Sequence, residues 1–399
     1  MIKKTCLAWI VNGSNYQATI KSNSYLISHL KKNFEKIYLI NFYKFKIFRK
    51  KNETEISNDI KKIENLYYFC PENILQLKDF LKDKKIIGIL NIGKKMKDLK
   101  THIILNFFNI KLIQASNVGN IQWSHNPSHS KKFLEKIGLK LDKIFFPKLI
   151  NILSIFRLVP KVEIRFITNR SLIENIKKSR LKYFLYKYKL FHSKELILIN
   201  SRTFDHFSAL SANLSEDYIV LLDNRLNNPD ALQAGKIDKQ NIFNDHYKVL
   251  IEFLKNLEKK YKKKVIISLH PEDDLNYKKN FFLNYEVIKF KTPELISKAF
   301  LVIFFDSSAI IDAIFLKKRI ISLISKPLGN LALDGSNKYL SEVGIYQTLL
   351  TKNLDIEPIL SEVEKRISNY EKYIYRNINS NGHEKGSDKI IRIIKKRFF

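Results

Sequence analysis

Short apolar runs alternate with amphipathic stretches along this chain. Cys6–Val11 is continuously apolar and stops at Asn12-Gly13-Ser14-Asn15, a turn signal. Asn23–Phe34 puts Leu26, Ile27, Leu30 and Phe34 on one helical face. Lys36–Asn41 is again extended, Ile74–Leu81 is helical, and Ile86–Leu90 and Ile110–Ala115 are extended. Residues 131–200 interrupt this rhythm with a basic, aromatic-rich stretch that includes Phe145-Phe146 and Tyr183–Tyr188. The second half is more regular. Tyr218–Leu222 is a strand ending at Asp223. Asp245–Lys259 is a helix striped with Tyr247, Leu250, Ile251, Leu254 and Leu257. Val265–Leu269 is a strand ending at His270-Pro271. Tyr285–Phe290 is a strand, and Thr292-Pro293 opens a helix as N-cap and first residue. Leu301–Phe305 is a strand ending at Asp306-Ser307-Ser308, followed by the helix Ala309–Leu316 and the strand Ile320–Leu323.

Strands separated by helices predict parallel β-α-β units with right-handed crossovers. A chain of 399 residues exceeds one ordinary domain, so the expectation is two doubly wound α/β domains, 1–205 and 206–399, facing a central cleft. The boundary falls in the polar stretch near Ser201–Asp217. Cys6 and Cys70 are the two cysteines and form neither a disulfide framework nor a metal spacing, which fits a cytoplasmic protein. The apolar start ends at Asn12 without a small-residue cleavage site and reads as a first strand rather than a signal peptide. No segment has the roughly 18–20 apolar residues that span a bilayer.

Charge sharpens the division. The net charge is +32, and Lys and Arg outnumber Asp and Glu by 25 in residues 1–200 but by only 7 in 201–399. The basic residues are spread over many helices rather than gathered in one groove with stacking aromatics. That pattern disfavours the non-enzymatic nucleic-acid binder, an alternative this charge raises. Basic residues beside aromatic ones in 131–200 suit an anionic membrane surface, alongside the simpler reading that they are outer helices and last strands of the first domain.

In open parallel sheets, ligands bind beyond the carboxyl ends of the strands. That rule selects His270, Pro271 and Glu272 after one strand and Asp306, Ser307 and Ser308 after another as ligand-binding, above all phosphate-binding, residues. A turn that opens a helix offers free N–H groups and hydroxyls to phosphate. Imidazole can donate to it. Asn12, Gly13, Ser14 and Asp223 are expected to line the cleft, and His125, His129, Asp205 and His206 are the candidates for catalysis. Asn126-Pro127 breaks any helix that would make His125 and His129 a metal pair, so no metal is expected. There is no Gly-rich dinucleotide fingerprint, no phosphate-binding P-loop and no His-Glu-x-x-His.

With these residues in view, the stretch from about 196 to 325 resembles the GT-B glycosyltransferases of bacterial surface-polysaccharide synthesis, including capsule enzymes and sialyltransferase-like families. Their His-Pro and Ser-Ser motifs correspond to His270-Pro271 and Ser307-Ser308. The resemblance implies a GT-B-like pair of Rossmann-like domains and metal-independent transfer from a nucleotide-sugar donor, which is co-substrate rather than cofactor. It further implies a growing polysaccharide or lipid-linked glycan acceptor and a location at the inner face of the cytoplasmic membrane. The acidic-acidic-glycine motif that supplies the base in the sialyltransferase-like families is absent. A nucleotide-sugar 2-epimerase or a polyol-phosphate transferase of the same fold is the enzymatic alternative.

Overall fold

The computed structural model describes residues 4–12, 20, 23–45, 61–63, 66–92, 96–115, 146–187, 193–208, 216–223, 239–270, 273–305, 307–326, 342–379 and 382–399. Described residues up to Asp205, together with those from Asn379 onward, form one compact unit. Those from His206 to Ile378 form a second.

The first unit is built on a sheet of β1 (Lys4–Val11), β2 (Ile37–Asn41), β3 (Lys61–Ile63), β4 (Leu66–Phe69), β5 (Lys84–Leu90), β6 (Lys111–Ala115), β7 (Val162–Ile167) and β8 (Ser193–Leu198). Its order is β3-β4-β2-β1-β5-β6-β7-β8, and only β3 runs antiparallel to its neighbour. β1 is buried from Cys6 to Val11 because layers cover both of its faces, which is why it reads as an unbroken apolar run. Gly88 lies between β1 and β6. A Cβ there would come within 2.3 Å of Ile10 Cδ1 and 3.0 Å of Leu112 Cδ2, so these side chains close over the glycine and would have to shift for any larger residue.

The second unit carries β9 (Tyr218–Leu222), β10 (Val265–Leu269), β11 (Glu286–Lys289), β12 (Ala299–Phe304), β13 (Arg319–Ile324) and β14 (Tyr346–Leu349). All are parallel, in the order β11-β10-β9-β12-β13-β14. Counted from its own first strand this is 3-2-1-4-5-6, the Rossmann order, with its switch point between β9 and β12. Leaving β3 aside, the first sheet has the same order with one more strand, and its switch point lies between β1 and β5. The chain is therefore two Rossmann-like doubly wound domains, the components of a GT-B-like fold.

Three expectations change. Within 131–200 the described residues resume the rhythm and are outer helices and last strands of the first unit, the simpler of the two readings: helix Phe146–Ile155, strand β7, helices Arg170–Lys178 and Arg180–Lys187, and strand β8. The helix capped at Thr292 is entered at Lys291, and the Thr292 hydroxyl instead shares a 2.8 Å hydrogen bond with Ser268. Residues 379–399 belong to the first unit, not to the second. Their helix, Gly386–Phe398, buries Ile390, Ile391 and Ile394 in the core cluster that also holds Leu7, Trp9 and Ile27.

Asp205 explains that last docking. Its carboxylate accepts the Gly386 N–H at 2.6 Å and the Ser387 N–H at 2.8 Å, satisfying two orphan donors of the final helix. Asn200, just past β8, donates to the carbonyls of Gly382 and Glu384, both at 2.8 Å. These contacts are over 180 residues distant in sequence, and no local pattern announces them.

Candidate functional site

The carboxyl ends of β9, β10, β12 and β13 carry the chemistry of the second unit. Asp223 follows β9, and it does not line an open crevice as expected. It is buried, and Lys278 from the helix Leu275–Phe281 donates to its carboxylate. The same ammonium donates to the Tyr247 hydroxyl at 2.5 Å and lies 3.4 Å from Asp273 Oδ2. Lys278 is fully buried, as are both carboxylates to within 2% of side-chain surface. One buried ammonium thus serves two carboxylates and a phenol. Burial raises the Tyr247 pKa well above its ordinary value, and the charges of Asp223 and Asp273 push it the same way.

Asp273 links this cluster to His270 at the end of β10. The Asp273 N–H donates to the His270 carbonyl at 3.0 Å, and Lys289 at the end of β11 donates to the Asp273 carbonyl. Asp274 then caps the next helix by accepting from the N–H groups of Asn276 and Tyr277, at 2.8 and 3.2 Å. The His270 side chain stands exposed at the end of this tethered segment. Pro271 and Glu272 lie outside the described residues.

Beyond β12, Ser307 is half-buried and Ser308 exposed, while Asp306 lies outside the described residues. The helix that follows, Ile310–Phe315, has six residues and no side-chain cap. Ser307 Oγ accepts from the Ala309 N–H at 3.3 Å, so one of the donors expected to be free is used within the turn. The contribution of this turn is its hydroxyls more than a long helix dipole.

Sequence reasoning missed His246. It lies on the helix Lys239–Tyr261, is fully buried, and its Nδ1 is 2.8 Å from the hydroxyl of Ser325, the first residue past β13. Burial first, and the positive charge of Lys278 second, push its pKa down to about 3. The apolar stripe of that helix was legible, but a histidine within it carries no distinguishing local signal.

At the switch point of the first sheet, Asn12 follows β1 and donates to Asp98 Oδ1 at 3.2 Å. Asp98 is buried in the first turn of the helix Met96–Phe107, which follows β5. Gly13, Ser14, His125 and His129 lie outside the described residues. Asp205 is taken up in capping the last helix. His206 is half-buried, with its ring edge against Phe207. Among the described residues no group of three or more His, Cys, Asp or Glu could hold a metal ion. Two concavities, of about 630 and 270 Å³, lie away from these strand ends; one is lined by Asn33, Arg392 and Lys395 and the other by Asn256, Lys260 and Asp355.

No protein-family model matches the sequence, and no curated protein matches it. Among solved structures, a UDP-GlcNAc 2-epimerase from Methanocaldococcus jannaschii is similar over 98% of this chain and 99% of its own, at 15% identity and a TM-score of 0.47. The wall teichoic acid polymerase TagF is similar over 99% of this chain and 89% of its own, at 13% identity and a TM-score of 0.49. The calicheamicin glycosyltransferase CalG4 is similar over the full length of both chains, at 8% identity and a TM-score of 0.47. The fold assignment rests on the strand order of the chain itself rather than on these likenesses.

Removing the ammonium from the buried cluster leaves two buried carboxylates without their shared cation. Lys278→Met should therefore destabilise the second unit by about 3–5 kcal/mol in denaturant unfolding. Adding Asp223→Asn to that variant should restore part of the loss. A loss below about 1 kcal/mol would show that the cluster does not hold this edge together.

Proposed function

We propose that this chain is a metal-independent glycosyltransferase that takes a sugar from a nucleotide-sugar donor bound at the carboxyl edge of the second sheet. The observation that supports the reading best is the strand order, which brings His270 and the Ser307-Ser308 hydroxyls to one edge of a Rossmann sheet. There the exposed imidazole and hydroxyls would meet the phosphates. In the reaction the bond between the anomeric carbon and the nucleotide's phosphate oxygen breaks, and the leaving phosphate is stabilised by these donors. An acceptor hydroxyl forms the new bond and gives up its proton. A general base takes that proton.

The acceptor in this reading is a growing surface polysaccharide, a capsule among the options, or a lipid-linked glycan at the inner membrane face. Support comes from the helix Arg180–Lys187, which buries none of its residues. It exposes Leu181 by 68% and Phe184 by 51%, beside Arg180, Lys182 and Lys187. Apolar side chains among basic ones are what an interfacial helix needs on anionic lipid. Among the described residues no helix is long and apolar enough to cross a membrane.

Two measurements test this reading. In a thermal-shift screen of CMP, CDP, UDP, GDP and ADP, one nucleotide class should stabilise the protein by about 2.7 kcal/mol at about 100 times its Kd. His270→Ala should lose that shift. No shift with any nucleotide would remove the donor site, and conversion of a nucleotide-sugar in the absence of any acceptor would assign an epimerase instead. In flotation, the protein should rise with phosphatidylglycerol-containing vesicles and not with pure phosphatidylcholine. Leu181→Ser with Phe184→Ser should abolish the difference, and unchanged flotation of that double variant would exclude this helix as the contact.

A further inference from the structure

We infer that the paired carboxyl ends of the helices Met96–Phe107 and Phe146–Ile155 form a docking site for an anionic lipid headgroup, with Phe107, Phe156 and Leu158 entering the acyl boundary and Arg157 and Lys161 meeting the phosphate. The inference does not depend on the donor site. It rests on the membrane reading given above and adds to the helix Arg180–Lys187 a second contact, on other elements of the first unit.

The two helix ends are tied side by side. Asn106, in the last turn of the first helix, donates through Nδ2 to the Arg157 carbonyl at 2.8 Å. Each helix stops on a residue in the left-handed region, Asn109 at φ 51° and Arg157 at φ 60°. The Ile110 N–H closes the first stop on the Leu105 carbonyl at 3.0 Å, and the Leu158 N–H closes the second on the Leu153 carbonyl at 2.9 Å. What these ends present to water is apolar. Phe107 is 75% exposed, Phe156 70% and Leu158 57%, and Ile103 and Ile152 are exposed one turn back on the same helix faces.

Single exposed apolar side chains are ordinary, but contiguous ones mark an interaction surface. Of the fifteen large apolar side chains exposed among the described residues, nine lie on the connections β5–β6, β6–β7 and β7–β8. These three connections step the same way across the sheet, so right-handed crossovers put their helices, Arg180–Lys187 included, on one face. A single flat surface can meet them all.

Charge decides what that surface is. The charged residues of 99–115 and 146–162 are Lys100, Lys111, Lys148, Arg157 and Lys161, and none is acidic. Glu163, the carboxylate next in sequence to Lys161, is taken by Lys194 at 2.7 Å. Burial, and after it the positive charges of Lys194 and Arg157, hold the Lys161 pKa below its ordinary value. An anion placed among these cations relieves their repulsion. A second copy docked through the same patch would instead set the cations against themselves. Nucleic acid would answer the charge but leave Ile103, Ile152 and Leu158 without rings to stack on. Apolar side chains bordered by Lys and Arg fit the headgroup boundary of an anionic bilayer. Arg157 adds a particular sign. A cation anywhere in the last turn would answer the helix dipole, yet this one sits on the residue whose backbone favours glycine, which a contact outside the helix accounts for.

The test is flotation of the full chain with phosphatidylglycerol-containing and with pure phosphatidylcholine vesicles. Phe107→Ser with Phe156→Ser should lower partition onto the phosphatidylglycerol vesicles more than about tenfold, the loss of two interfacial rings. Arg157→Gly suits the left-handed backbone and should stay folded, yet lower that partition about fivefold without changing partition onto phosphatidylcholine. Stable attachment takes two contacts, so the loss of either this site or the helix Arg180–Lys187 is expected to detach the chain. Unchanged partition of the phenylalanine double variant overturns the inference. So does a wild-type dimer that this variant turns into a monomer while flotation persists, because the patch then meets a second copy. If the double variant does not fold, Phe156→Trp decides: brominated phosphatidylglycerol should quench its fluorescence beyond the wild type's, and no added quenching overturns the inference. Flotation lost in Leu181→Ser with Phe184→Ser but kept in Phe107→Ser with Phe156→Ser sinks this site alone. A wild type that floats with neither vesicle sinks the membrane reading with it, while the donor reading is judged separately by nucleotide binding.

Discussion

A single buried ammonium organises the carboxyl edge of the second sheet. Lys278 ties the end of β9, through Asp223, to the loop after β10, through Asp273, and to the long helix between these strands, through Tyr247. Taking one cation and two carboxylates out of water is expensive, and little is gained over an apolar core of the same volume. What the cluster supplies is geometry. Asp273, three residues past His270, is held at its carboxylate by Lys278 and at its carbonyl by Lys289. An exposed imidazole on a fixed stem is a better phosphate ligand than one on a free loop, because less ordering remains to be done on binding.

The first unit is completed in a different way. Its sheet has the same order around β1 and β5, but its last covering helix comes from the far end of the chain. Asp205 and Asn200 hold the start of that helix with charge-assisted and amide hydrogen bonds, and three isoleucines seal it to the sheet. Each unit has polar side chains just past its strand ends: Asn12, which meets Asp98 of the next helix, in one, and His270 and Ser308 in the other.

Much of the fold was legible because buried parallel strands are continuous apolar runs. Val265–Leu269 and the stripe Tyr247, Leu250, Leu254 and Leu257 stand where the pattern puts them, although Ile251 is only half-buried and Phe253 takes its place in the core. The site was legible only at strand ends, where connectivity alone directs attention to His270 and Ser307-Ser308. Asp223 misled because the rule for strand ends says where a residue is, not whether a partner consumes it. Lys278, 55 residues away, was the partner. Asp205 was likewise a strong polar signal whose purpose, a helix cap, depends on a segment 181 residues later. His246 escaped because a buried histidine inside an amphipathic stripe looks like any other interior position until its two nitrogens are accounted for.

The account stands or falls on whether a nucleotide settles at the carboxyl edge of the second sheet. Hydrogen–deuterium exchange, with and without saturating UDP or CDP, locates that contact without any assumption about the acceptor. The account predicts slowed exchange in peptides covering residues 268–274 and 304–310, with the helix Glu357–Arg366 unchanged. Protection confined to the first unit, in a sample where calorimetry shows the nucleotide bound, would contradict it.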